Sequence, residues 1–328
     1  MEKKDRVFDT QKIIVIVLGV ILAVILVALG IVFIPKLFEQ KDEQPATTST
    51  TTPAPVEETP KTPTKIDLQY TVDSWVGSQP NAKNSEVLIY DIDNDAIVAR
   101  HNEDTPMYIA SIYKMFVVYE GYYRVDHNIW DGEASVGLGK NYDGNQFTYN
   151  TCLDYAIRYS YSPCAENLWA KIGHDSLQAI YNEKGFKNTN IQGISSSPSD
   201  LLKLYQMFWK HSDLSEASWE KIKDSMLNQT APNNAYDNMK QNWRKGFPSG
   251  FATAKVYDKV GWWGDGNGHW NYYADASFVV FPETKNSDGE TVPGRNYIMI
   301  VLTAKTDPSE LVKLGRSIEA AVKTADKY

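Results

Sequence analysis

Ser111 and Lys114 stand three residues apart in the apolar segment Met107–Tyr119. On a helix that spacing sets hydroxyl and amine on one face, within reach of each other. Near a helix start, unpaired backbone N–H groups and the helix dipole favour negative charge on a bound oxygen, so a serine there has half of an oxyanion hole beside it. An amine hemmed in by Ile112, Tyr113, Met115 and Phe116 is desolvated, which lowers its pKa and frees it to act as a base. The chemistry such a pair could perform is acyl transfer through serine. The same spacing recurs at Ser218 and Lys221, but in a polar, charged segment where it reads as ordinary helix surface.

Two further groups bear on that chemistry. Ser160 and Ser162 lie in Tyr159-Ser-Tyr-Ser-Pro163, which breaks two helical patterns, and Lys259, Gly261 and Trp262 lie on an expected strand. Taken singly, Ser160 reads as a helix cap and Lys259 as a solvated charge at a strand end. The five histidines are scattered without ligand spacing, so no metal site is readable. Asp91-x-Asp93-x-Asp95 mimics the start of a calcium loop but lacks its glycine and closing glutamate, and reads as a turn.

The elements that must position these residues follow from periodicity. Asp67 to Val76 suggests a first helix; Glu86–Asp91 and Ala96–Arg100 read as a β-hairpin. Helices are expected over Thr151–Ser160, Ala165–Ile172 and Asp175–Glu183, and another opens at Ser197-Pro198-Ser199-Asp200, with a capping serine and proline at its first position. The C-terminal part reads strand, strand, strand, helix: Lys255–Trp262, Ala276–Phe281, Tyr297–Ala304, and Ser309–Lys323 with Leu311, Leu314, Ile318 and Val322 on one stripe. Helices in the middle and strands at both ends imply one antiparallel sheet flanked by helices.

Residues 13–34 form an uncharged apolar run of the length that crosses a bilayer, with no small-residue cleavage site close behind. Lys3, Lys4, Arg6 and Lys12 precede it and only Lys36 and Lys41 follow closely, which keeps the N-terminus cytoplasmic and puts the rest outside. The expected plan is a cytoplasmic segment over 1–12, a single transmembrane anchor over 13–35, a Thr/Pro-rich linker over 36–65 and a folded domain over 66–328. Cys152 and Cys164 both fall outside, where a pair closes a small loop as a disulfide; two reduced core thiols are the alternative. With a net charge of −8 over 328 residues and no basic stripe, nucleic acid is not an expected partner.

Ser111-Ile-Tyr-Lys114, Ser160-Tyr-Ser162 and Lys259-Val-Gly261 occur in that order. Together they resemble the Ser-x-x-Lys, Ser-Asp-Asn and Lys-Thr-Gly set of class A β-lactamases and penicillin-binding proteins. Cys164-Ala-Glu-Asn-Leu168, the Ser-Ser-Pro helix start and Arg244-Lys-Gly-Phe-Pro248 extend the resemblance over residues 66–328. It implies an α+β fold: a five-stranded antiparallel sheet with helices on both faces beside an all-helical lobe, the site lying between. It also implies roles. Ser111 attacks a carbonyl and Lys114 takes its proton; Ser160 relays a proton to the leaving nitrogen. Lys259 holds a substrate carboxylate and keeps Lys114 neutral, the Trp262 N–H is the second oxyanion donor, and Ser162 and Gly261 line the substrate. No cofactor is implied.

The departures shape the expected function. Ser162 replaces an asparagine that binds substrate, and Val260 removes a hydroxyl that would meet the substrate carboxylate. The glutamate that activates the deacylating water in class A lactamases sits in a long loop. Here only nine residues, Phe186–Ile194, separate Gly185 from Ser195, none of them acidic. The expectation is an anchored serine hydrolase acting on cell-wall peptides of the D-Ala-D-Ala type, acylated by β-lactams and slow to release them. A class A-type β-lactamase, and a penicillin-binding sensor or inactive binding module, are the alternatives.

Overall fold

The computed structural model describes residues 62–81, 84–230, 246–264 and 270–326. The expected anchor, nearly all of the linker, and Arg244 and Lys245 lie outside them. Among the described residues no helix is long and apolar enough to cross a membrane. In chain order the main elements are α1 (Gln69–Ser78), β1 (Ser85–Asp91), β2 (Ala96–His101), α2 (Tyr113–Asp126), α3 (Tyr149–Arg158), α4 (Ser162–Ile172), α5 (His174–Glu183), α6 (Pro198–Trp209), α7 (Glu216–Leu227), β3 (Lys255–Gly264), β4 (Trp270–Phe281), β5 (Arg295–Ala304) and α8 (Pro308–Ala325).

The five strands form one antiparallel sheet in the order β2-β1-β5-β4-β3, so the hairpin from the start of the chain joins the three strands from its end. Both faces are covered, and the strands accordingly read as almost unbroken apolar runs. Alternate residues go to opposite sides. Leu88 of β1 and Ile298, Ile300 and Leu302 of β5 pack into the helical lobe. Val87 and Ile89 with Tyr297, Met299 and Val301 face α1 and α8, meeting the stripe Leu311, Leu314, Ile318 and Val322. Each such fully buried aliphatic side chain contributes about 1.5–3 kcal/mol.

Local signals set the helix starts. The Ser197 hydroxyl accepts from the Asp200 N–H and Pro198 occupies the first turn of α6. Ser215 caps α7 in the same way. The acidic turn between β1 and β2 is held by its own side chains: Asp91 accepts from the Asn94 N–H, and Asp93 accepts from both the N–H and the amide of Asn296.

Cys152 of α3 and Cys164 of α4 are bonded across a separation of 12 residues. A ring of that size restricts the unfolded chain by about 3 kcal/mol. The Cys152→Ala/Cys164→Ala double variant is therefore expected to lose roughly 2–4 kcal/mol in urea unfolding; a midpoint within error of the parent would show that α3 and α4 hold together without the bond.

Candidate active site

The backbone presents Ser111 in a way the sequence pattern does not reveal. Instead of sharing one α-helix with Lys114, it sits in a 3-10 turn, Ala110–Ile112, and α2 begins at Tyr113. Ala110 has φ 44°, the left-handed region that non-glycine residues occupy only under constraint. Two features supply the constraint. The Ile109 N–H donates to Ile194 O at 2.9 Å, and Met107–Tyr108 pairs with Ser195–Ser196. The short segment 186–194 thus buttresses the turn, and two carboxylates hold it: Asp200, engaged by the Asn188 N–H, Thr189 and Lys203, and Asp175, which accepts from the Gln192 amide.

From the other side, β3 lies against the same turn through Gly261. A Cβ there would meet Ile109 O at 2.3 Å and Ile112 N at 3.2 Å. The structure therefore gives Gly261 a packing role beyond the substrate-lining one the motif implies: its missing side chain lets β3 and the turn that carries Ser111 approach. Gly261→Ala is expected to cost about 1–3 kcal/mol by overpacking and to slow acylation of Ser111 more than Val260→Ala does. Equal melting temperature and equal rate in the alanine variant would remove that role.

The other wall is the break between α3 and α4. Ser160 has φ 49°, its N–H donating to Ile157 O and that of Tyr161 to Tyr155 O. Ser160 is not a helix cap; Tyr161 occupies that position, with Pro163 in the first turn of α4. Aromatic packing pins the break: the Tyr161 ring stacks on Phe147 at 5.7 Å, within a cluster that includes Tyr142 and Tyr155. Sequence reasoning missed this anchor, whose signal is the density of tyrosines over residues 142–161.

Between these walls Lys114 Nζ is fully buried. It lies 2.9 Å from Ser111 Oγ, 2.6 Å from Ser160 O, 3.2 Å from Ser160 Oγ and 3.1 Å from Ser162 Oγ. The apolar neighbours in sequence shield the amine, but its four hydrogen-bond partners are all oxygens. Ser162, expected against substrate, is also one of the four. Lys259, likewise fully buried rather than a solvated strand-end charge, donates to Ser160 Oγ at 3.0 Å and to Val260 O at 2.8 Å. A continuous path runs Ser111 Oγ, Lys114 Nζ, Ser160 Oγ, Lys259 Nζ. Trp262 follows Gly261 on the edge strand β3.

Electrostatics follow from this burial. Desolvation, then the Lys259 charge, hold Lys114 well below the usual lysine value, against an opposing pull from Glu166 of α4. Desolvation brings Lys259 down to about 7, opposed by Asp258 and Asp275. By contrast Ser218 donates to Asp126 rather than meeting Lys221, so the second Ser-x-x-Lys is a helix-start contact.

The arrangement can deliver a serine alkoxide and shuttle its proton across one hydroxyl. Among the described residues no cluster could hold a metal ion. The model of the Beta-lactamase enzyme family matches residues 68–322. Solved structures share the fold: a β-lactamase from Chitinophaga pinensis DSM 2588 is 15% identical with a TM-score of 0.60 over 77% of this chain and 98% of that one. PBP-A is 17% identical, TM-score 0.59, over 78% and 96%. A PBP-A variant solved as an acyl-enzyme complex with penicillin G is 16% identical, TM-score 0.59, over 78% and 96%. No curated protein matches the sequence.

Proposed function

The chain belongs to the β-lactamase enzyme family, and from that premise we propose that it is a membrane-anchored, extracytoplasmic serine acyl-enzyme that cleaves cell-wall peptides ending in D-Ala-D-Ala. One observation carries the reading: Lys114 Nζ lies within hydrogen-bond reach of both Ser111 Oγ and Ser160 Oγ, and Lys259 Nζ reaches Ser160 Oγ from beyond.

Ser111 Oγ attacks the penultimate carbonyl while its proton passes to neutral Lys114. The tetrahedral oxyanion is met by the backbone N–H groups of Ser111 and Trp262. As the C–N bond breaks, the proton moves from Lys114 through Ser160 to the departing nitrogen, leaving an ester on Ser111. Charged Lys259 pairs with the terminal carboxylate of the substrate and, by repulsion, keeps Lys114 unprotonated. Ser162 shares in holding the amine, which leaves less of it for substrate than an asparagine amide would offer. The apolar run over 13–35 anchors the chain, the N-terminus stays cytoplasmic, and the linker over 36–65 tethers the domain over 66–328 outside.

A β-lactam presents a strained amide beside a carboxylate, and it acylates Ser111 by the same steps. Release is slow, since segment 186–194 carries no carboxylate to activate water. The rival, rapid β-lactam hydrolysis, has one observation in its favour: Glu166 is close enough to Lys114 to raise its pKa. Intact-mass spectrometry of the protein after exposure to penicillin separates the two. A long-lived adduct on Ser111, with release of D-alanine from a D-Ala-D-Ala peptide, supports the peptidase. Steady-state penicillin turnover without peptide cleavage supports the rival, and no adduct with any β-lactam would overturn both.

A further inference from the structure

Residues of α6, α7 and the strands β3, β4 and β5, none of them Ser111, Lys114, Ser160 or Lys259, line a cavity of about 400 Å³. We propose that it is a carbohydrate-binding site for a neutral pyranose. Its walls are aromatic: Trp209, Trp219, Tyr257 and Phe278. Phe278 forms the floor, with Trp209 5.6 Å away and inclined at 35°, and Trp219 5.4 Å away and edge-on. Trp209 and Tyr257 are only half-buried, so ring surface is left for a ligand. Tyr257 shares a face of β3 with Lys259, two residues on. The cavity continues from there toward Val280 and Asn296, away from Trp262.

The rim decides the ligand. Lys223 and His211 border the cavity, yet each is matched by an acid, Glu220 for the first and Glu216 at 2.9 Å for the second. Both acids are more than half exposed, so these pairs neutralise the rim without sealing it. An anion would have to displace a carboxylate. A lipid chain would strip water from three polar heads with nothing in return. A sugar ring offers an apolar C–H face to stack on indole or phenol and equatorial hydroxyls for Lys223, His211 and the Asn296 amide. The amide nitrogen of Asn296 is held by Asp93, which turns its oxygen into the acceptor for a sugar hydroxyl.

None of these residues takes part in acyl transfer, so this site and the proposed activity can fail separately. The test uses the full chain in a detergent without a sugar headgroup, titrated with tetra-N-acetylchitotetraose or with maltotetraose. Tryptophan fluorescence and saturation-transfer NMR are read out. Saturable binding of either oligomer, with Kd on the order of 1 mM or tighter, supports the site, and the better ligand shows whether acetamido sugars are preferred. Trp209→Ala is expected to weaken binding about tenfold or more, the loss of roughly 1.4 kcal/mol. Its fold is checked by circular dichroism, and Lys223→Ala, at a half-buried rim position, gives a second reading should Trp209→Ala unfold. No saturation by either oligomer at about 10 mM, or unchanged affinity in both variants, would overturn the proposal.

Discussion

Lys114→Met is expected to slow acylation of Ser111 by penicillin about a thousandfold, within the range general-base catalysis contributes, and to leave the fold standing. The four hydrogen-bond partners of the amine are a carbonyl and three hydroxyl oxygens, none of them a base of comparable strength, and Ser111 Oγ is 2.9 Å from it. Methionine nearly matches lysine in length and avoids the cost of burying an amine. Against that, Ser160 O loses a donor, at about 1–3 kcal/mol. The two effects oppose each other, so the melting temperature should move by a few degrees only. Stopped-flow labelling with a fluorescent penicillin measures the rate. Acylation within threefold of the parent would strip Lys114 of its role as base and pass it to another group.

The second large effect is in pH. Lys259 has to be charged to hold a carboxylate, yet in the free protein burial brings it down to about 7. The second-order rate constant of acylation reports the free enzyme, so it should decline above about pH 7, approaching tenfold per unit. Lys259→Arg keeps the charge at any working pH and should extend the plateau upward. A parent profile flat to pH 9 would mean that Lys259 stays charged or that its charge is not used. Stability should move the other way. The unfolded chain holds this proton up to about 10.5 while the folded one gives it up near 7. Between those values the unfolded state binds more protons, so stability rises with pH, by about 1.4 kcal/mol per unit at most, and the burial cost is present in full below 7. In Lys259→Met that rise should flatten.

The sequence carried the frame of this molecule where local rules dominate. The apolar runs within Glu86–Asp91 and Tyr297–Ala304, the stripe Leu311–Val322 and the capped start at Ser197 all lie where the structure has strands and helices. It understated β4, which begins at Trp270 rather than Ala276, since the early part of that strand carries the site-facing Tyr272 and the buried Asp275 in place of an apolar alternation. The hairpin within residues 135–148 went unread because its strands pair across a broken register.

The site was legible as a set of residue types and not as a geometry. Spacing alone put Ser111 and Lys114 on one helix; long-range contacts set the 3-10 turn instead. Ile194 O and the bare Cα of Gly261 close on it from segments about 85 and 150 residues away, which no local window can sense. Nor does periodicity show that a lysine inside an apolar stretch ends among four oxygens. Trp263 shows the same limit. It is 54% exposed, and its ring meets that of Tyr108, just ahead of the Ser111 turn, at 5.6 Å.

The bond between Cys152 and Cys164 reaches further than stability. Residues 160 and 162 lie inside the ring it closes, and they supply three of the four oxygens around Lys114 Nζ. Cutting the bond in folded protein would slacken the cradle and not the nucleophile, admit water to the amine and push its proton affinity back toward that of a free lysine. Because both sulfurs are buried, the Cys152→Ala/Cys164→Ala variant rather than a thiol reductant reaches this state, and it should acylate Ser111 more slowly while still folded.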